Sequence, residues 1–257
     1  MGDIVRKVCL VVLVMVVALM PVLSLSEAKE SATETRPAGG DEKKAVRTDT
    51  PAQPAPQPAS TQYRPPKTGA PGGRVGGGTR GADPNLVALF VLAPDHVAAT
   101  IKDDPDFYWY ISAPPKYPVE FTFSEDQGVQ PLVQTRISPP VKAGLNRIKL
   151  KDYGVKLSKG VQYRWFMALV PDENRRSKDL VAGAMIERID MPGGLKEKLA
   201  SAGEGNEWPL YAQEGVWYDA IMALSEQIAA KPGDQGLRAQ RDSLLDQVGL
   251  PRIGDAK

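Results

Sequence analysis

Alternation of apolar and polar residues is clearest in the middle of the chain. Val119-Glu120-Phe121-Thr122-Phe123 puts Val119, Phe121 and Phe123 on one face and the polar residues on the other, the period-two signature of a half-buried strand. Phe107-Tyr108-Trp109-Tyr110-Ile111 predicts a second strand, with Phe107, Trp109 and Ile111 on one face and both tyrosines on the other. Upstream, Leu86-Val87-Ala88-Leu89-Phe90-Val91-Leu92 is a continuous apolar run of strand length, too short for a typical core helix. Leu132 to Ile137, Arg147 to Lys151, Tyr163 to Val170 and Ala184 to Ile189 complete seven short strands, separated by turns rich in Pro, Gly and Asp. That spacing predicts an antiparallel β-sandwich over residues 84–191.

After Met191-Pro192-Gly193-Gly194 the apolar period lengthens to that of a helix. Leu195 to Ala202 predicts a short helix. Tyr211 to Ala230 predicts a longer one, with Ala212, Gly215, Trp217, Ala220, Ile221, Leu224 and Ile228 largely along one side. Pro232 and Gly233 stop it, and Gln235 to Val248 forms the next, so residues 192–254 are expected to be a helical hairpin. Tyr211, Gly215, Trp217, Ala220 and Pro232 also fall at the spacing of a single tetratricopeptide unit. One unit cannot stack into a solenoid, so packing on the sandwich or on a partner is the expected use of the hairpin.

The N-terminal part follows neither period. Arg6 and Lys7 precede the unbroken apolar run Val8 to Met20, and Ser26-Glu27-Ala28 offers small residues where a signal peptidase reads. Residues 1–28 therefore predict an export signal, cleaved rather than retained as an anchor because Pro21 and small residues follow the apolar run. From Lys29 to Asp83 there is no Leu, Ile, Phe, Trp or Met, and such a segment cannot bury enough apolar surface to offset its ordering entropy. Residues 29–83 are expected to be a disordered Pro/Gly-rich linker, biased toward extended conformations by Pro51, Pro54, Pro56 and Pro58.

Charge and cysteine narrow the function classes. Lys+Arg 32 against Asp+Glu 31 gives a formal net charge of +1, which supports no whole-molecule attraction to nucleic acid. The single cysteine, Cys9, lies inside the signal, so the exported chain holds no thiol, disulfide or Cys-ligated metal and must be stabilised by its core.

Two motifs carry resemblances. Leu157, Gly160, Tyr163 and Trp165 resemble the approach to a late strand in fibronectin type III and immunoglobulin-like domains, where the tyrosine closes a corner by hydrogen-bonding back to the chain. Gly69 to Gly81 is similar to the opening motif of the DUF928 family, exported bacterial proteins best represented in cyanobacteria. Phe107-Tyr108-Trp109-Tyr110, Tyr163-Arg164-Trp165, Ile186-Glu187-Arg188-Ile189 and Tyr211 to Ala220 follow in that family's order. The family often has a cysteine where this chain has Ala82 and Asp83, so no thiol role carries over. The resemblance implies architecture and transfers no activity.

Candidate chemistry is sparse. The glycine-rich stretch Gly72 to Gly81 lacks the Gly-Lys-Ser/Thr ending of a phosphate loop and follows no strand, so docking of Arg74 and Arg80 on the sandwich is favoured over ligand binding. His96 is the only histidine, and no Gly-x-Ser-x-Gly elbow accompanies it, which leaves no nucleophilic triad. Asp103, Asp104, Asp106, Glu120 and Glu125 are the acids available for glycoside cleavage, and Asp103-Asp104-x-Asp106 for calcium; all fall in turns or on solvent faces, and no metal or cofactor is expected. Tyr108 and Tyr110 offer stacking rings, although cover by the C-terminal helices is the favoured reading.

The expectation is thus an exported, non-enzymatic interaction or scaffold protein: an antiparallel immunoglobulin/fibronectin-like sandwich followed by a helical hairpin. Arg74, Arg80, Tyr108, Tyr110 and Trp217 are its candidate contact residues. An envelope protein is the expected partner and a glycan surface the second, with the membrane met only through an uncleaved signal. The alternatives are an envelope glycan or peptidoglycan hydrolase, and a carbohydrate-binding module with Tyr108, Tyr110 or Trp208 exposed.

Overall fold

The structure is a computed structural model that describes residues 61–66, 73–76 and 87–253. The chain divides into two units, Met1–Gln53 and Pro54–Lys257, and every described residue belongs to the second. The expected export signal, the linker before residue 61 and Arg80 lie outside the described residues.

Two sheets form the first part. β2 (Leu89–Val91), β4 (Asp106–Ile111) and β7 (Gly144–Lys149) make a three-stranded sheet in the order β2-β4-β7. The larger sheet holds β5 (Val119–Glu125), β6 (Val133–Arg136), β8 (Gln162–Leu169) and β9 (Leu180–Arg188) in the order β9-β8-β5-β6. Two short strands share the outer edge of β9. β1 (Val75–Gly76) pairs antiparallel with Ala182 and Gly183, and β3 (Ala98–Thr100) pairs parallel with residues 186–188. The chain therefore leaves one sheet after Val91 and joins the other at Ala98, which gives the otherwise antiparallel sandwich one parallel ladder.

Alternation decides which side chains meet between the sheets. Phe107 of β4 stacks on Trp165 of β8 with centroids 4.7 Å apart, and lies 6.1 and 5.7 Å from Phe121 and Phe123 of β5. Each such ring removes roughly 150–250 Å² of apolar surface from water, so this cluster dominates the core. The corner before β8 closes as its residues suggest: the Ser158 N–H donates to the Tyr163 hydroxyl at 3.0 Å, with Leu157, Tyr163 and Trp165 buried.

Four helices follow: α1 (Leu195–Ala202), α2 (Glu207–Gln213), α3 (Trp217–Ala230) and α4 (Gln235–Gln247). Asp234 caps α4, its carboxylate accepting from the Leu237 N–H at 3.1 Å. The long helix expected from Tyr211 to Ala230 is in fact two, broken at Gly215, which adopts φ +77°. A Cβ at Gly215 would lie 2.6 Å from the Arg64 carbonyl oxygen, so the break makes room for another piece of chain. Among the described residues no helix is long and apolar enough to cross a membrane.

The segment assigned by composition to the linker contributes to this body. Tyr63 is only 6 % exposed and belongs to the hydrophobic core, and β1 extends the larger sheet. A disordered reading of 29–83 thus fails for residues 61–66 and 73–76: the Tyr63 ring, the close approach at Gly215 and the pairing of β1 with β9 hold them where bulk hydropathy predicts no hold.

Candidate interaction site

The residues singled out as contact surface are mostly internal. Tyr108 and Tyr110 are both 6 % exposed, and Tyr110 stacks on Phe90 at 4.8 Å. Arg147, opposite Tyr108 across β4 and β7, reaches Asp106 at 3.3 Å and Glu226 of α3 at 3.6 Å. Cover is the outcome for these rings, with α3 lying against β3 and β4. Trp208 and Trp217 are buried as well. A contact surface built on Tyr108, Tyr110 and Trp217 is therefore corrected, because all three rings are buried within the fold.

Three consecutive residues at the start of α3 make that junction. The Trp217 Nε1–H donates to the Leu92 carbonyl at 2.9 Å. The Tyr218 hydroxyl accepts from Trp165 Nε1 at 2.9 Å and donates to the Met185 carbonyl at 3.1 Å, while its ring meets Phe107 edge-on at 5.7 Å. Asp219 Oδ2 accepts from the Thr100 hydroxyl at 2.8 Å and the Ile101 N–H at 3.1 Å. Burial pushes the Asp219 carboxyl above its usual range against the pull of the Thr100 bond, and its Oδ1 has no hydrogen-bond partner. A helix phase that aims successive residues in different directions lets one turn grip both sheets.

Against this junction lies a groove that holds residues 61–66. The Tyr63 ring meets Trp217 edge-on at 4.9 Å and stacks on His96 with centroids 5.9 Å apart, its hydroxyl 2.9 Å from His96 Nε2. Burial pushes the Tyr63 hydroxyl up and the His96 imidazole down, the latter opposed by Asp95. The Tyr63 N–H donates to Gln247 Oε1 at 2.7 Å, the Arg64 N–H donates to the Ala212 carbonyl at 3.0 Å, and Gln247 Nε2 donates to the Thr61 carbonyl at 3.0 Å. Further along, the Arg74 guanidinium donates to the carbonyls of Ala93, Val248 and Gly249 at 3.3–3.4 Å, and its N–H to Asp95 at 3.2 Å. Arg74 thus docks on the fold, as favoured. The glycines beside it are required by close approach: a Cβ on Gly73 would lie 2.5 Å from the His96 backbone, and one on Gly76 1.8 Å from the Val181 carbonyl oxygen.

Comparison with protein families decides the relationship. The model described as Domain of Unknown Function (DUF928) matches residues 75–257, well over half of the chain. The chain belongs to the DUF928 family. No curated protein and no solved structure is matched by it. The DUF928 span begins inside the glycine motif, so the walls of the groove fall within it and Tyr63 to Pro66 before it.

Three of the candidate acids of this DUF928 chain are dispersed, and each is paired with a cation. Asp103 pairs with Lys156 at 3.0 Å, Asp106 with Arg147, and Glu120 with Arg176 at 2.7 Å and Arg136 at 3.7 Å. The Arg176 bond holds the Glu120 carboxyl below its usual range, whereas burial pushes Asp106 above it. Asp106 lies in the smaller sheet, Glu120 in the larger, and Glu125 at the exposed end of β5. Among the described residues no group of three His, Cys, Asp or Glu side chains is placed to hold a metal.

Sequence reasoning missed Tyr63, Tyr218, Asp219 and Gln247. Tyr63 did carry a signal: it is the one aromatic residue between Lys29 and Asp83.

Proposed function

We propose that this DUF928 protein is an exported, non-enzymatic interaction or scaffold protein of the cell envelope, an immunoglobulin-like sandwich fused to a helical cover. The observation that carries the reading is the groove. Main-chain hydrogen bonds and an aromatic seat converge on residues 61–66, carbonyls nearby are aimed at the Arg74 guanidinium, and these are the means by which proteins hold peptides. The pairing of Asp103, Asp106 and Glu120 with separate cations favours structural work for them over the paired-acid geometry of a glycan hydrolase. The immunoglobulin-like assignment is supported by β2-β4-β7 lying opposite β6-β5-β8-β9, by the change of sheet between β2 and β3, and by the Ser158 to Tyr163 bond at the corner. Residues 1–28 support export, and the near-balanced charge favours a protein or glycan partner over nucleic acid.

The test is cross-linking of the tagged full chain in living cells, with fractionation and identification of the product. An envelope location and one recurrent protein partner are expected. Release of soluble fragments from purified wall glycan by the purified chain would replace the reading with the hydrolase, and saturable retention on glycan without cleavage with the carbohydrate-binding module.

A further inference from the structure

We infer that the groove at the junction of helices and sandwich is a binding site for an extended, proline-containing peptide anchored by one aromatic ring, and that residues 61–66 occupy it in cis as an internal ligand. The inference rests on the interaction reading above and gives that interaction a place and a ligand chemistry.

The occupant has the properties of a peptide ligand. Residues 61–66 form neither helix nor strand, and Pro65-Pro66 hold the segment extended at little entropic cost. The three main-chain bonds, to Gln247 twice and to Ala212 once, would hold any backbone in the same register. Selectivity comes from the seat between Trp217 and His96, which accepts a flat ring carrying a hydroxyl at 2.9 Å from an imidazole nitrogen. Gly215 supplies the close approach, since any side chain there would meet the ligand's backbone at Arg64.

The walls have bonds of their own besides those to the occupant. Trp217 is fixed by its bond to Leu92, and Gln247 by a second bond from Nε2 to the Ser243 carbonyl at 3.1 Å. The DUF928 match contains these walls and begins after Pro66. The track also continues: an open cleft of about 500 Å³, lined by Gln62, Ser243, Asp246 and Gln247, adjoins it beside α4. A tethered occupant competes at an effective concentration of the order of millimolar, so an incoming peptide sees a weakened apparent affinity until the cis segment is displaced.

The test uses the full chain and a fluorescent peptide copying residues 59–68, read by anisotropy. Tyr63→Ala empties the aromatic seat, and Arg64→Pro removes the N–H bonded to Ala212 and puts a proline ring against that carbonyl; both weaken the cis occupant and alter no wall residue. Each variant is expected to bind the probe at least about tenfold more tightly than the unaltered chain. A probe with alanine in place of its tyrosine is expected to bind none of them. Absence of saturable binding to both variants, each shown to unfold cooperatively, overturns the inference, as does equal binding of the alanine probe. In-cell cross-linking of a partner at another surface would then leave the interaction reading standing without this groove.

Discussion

Replacing Tyr218 by phenylalanine removes a single oxygen from the centre of the molecule and tests whether helices and sandwich fold as one. The ring keeps its edge-on contact with Phe107 and no cavity of consequence opens. What is lost is the bridge: the buried Trp165 Nε1–H loses its acceptor and the carbonyl of half-buried Met185 its donor. A buried polar group left unpaired costs about 1–3 kcal/mol, so two give roughly 2–4 kcal/mol allowing for partial relaxation. For a folded part of this size, about 3 kcal/mol lowers Tm by roughly 6–12 °C. The assay is urea unfolding followed in parallel by far-ultraviolet circular dichroism, for the helices, and pulsed amide hydrogen exchange of β8 and β9, for the sandwich. Coincident curves displaced to lower urea with an unchanged slope are expected. A loss under about 0.5 kcal/mol, or a helical transition that moves while the sandwich transition stays, would refute the reasoning about this bridge.

Two further perturbations address the N-terminal segment. Gly76→Ala forces a side chain at φ +69° against the Val181 carbonyl, so β1 should leave β9; the left-handed backbone alone costs about 1–2 kcal/mol, whereas Gly233→Ala, in open space, should change urea stability little. His96 has its folded pKa lowered by burial against Tyr63, so the neutral ring's contribution is present above the ordinary value near 6.5 and is lost as pH falls through that value toward the folded one. Between pH 7.5 and 5.5 the unaltered chain should lose more stability than His96→Gln, and equal losses would remove His96 from the account.

Much of the framework was legible because period two and period three-and-a-half are properties of residues close in sequence. Val119 to Phe123 and Phe107 to Ile111 form strands as their alternation indicates, and α1 spans Leu195–Ala202 as predicted. The corner tyrosine was legible because its partner, Ser158, lies five residues away. What failed depends on distant partners. β3 is three small residues, Ala98-Ala99-Thr100, and becomes a strand through its pairing with β9. The apolar stripe from Ala212 to Ile228 runs on through Gly215, so the helix break is visible only once Arg64 occupies the space. Tyr63 sits among polar and proline residues, and its burial is decided by Trp217 and Gln247, far along the chain. Tyr108 and Tyr110 followed the alternation, but the outer face they occupy is covered, which period two alone does not reveal.

The most direct test of the account is amide hydrogen exchange on the full chain, comparing the Tyr63 and Arg64 N–H groups with those of β8 and β9. A segment that fills a groove and can leave it should be protected yet exchange well ahead of the sheet, through an opening that spares the rest of the fold. Exchange at Tyr63 and Arg64 as fast as in an unstructured peptide, or as slow as in β8, would contradict it: the first would mean that the groove does not hold the segment, the second that the segment is a permanent part of the core.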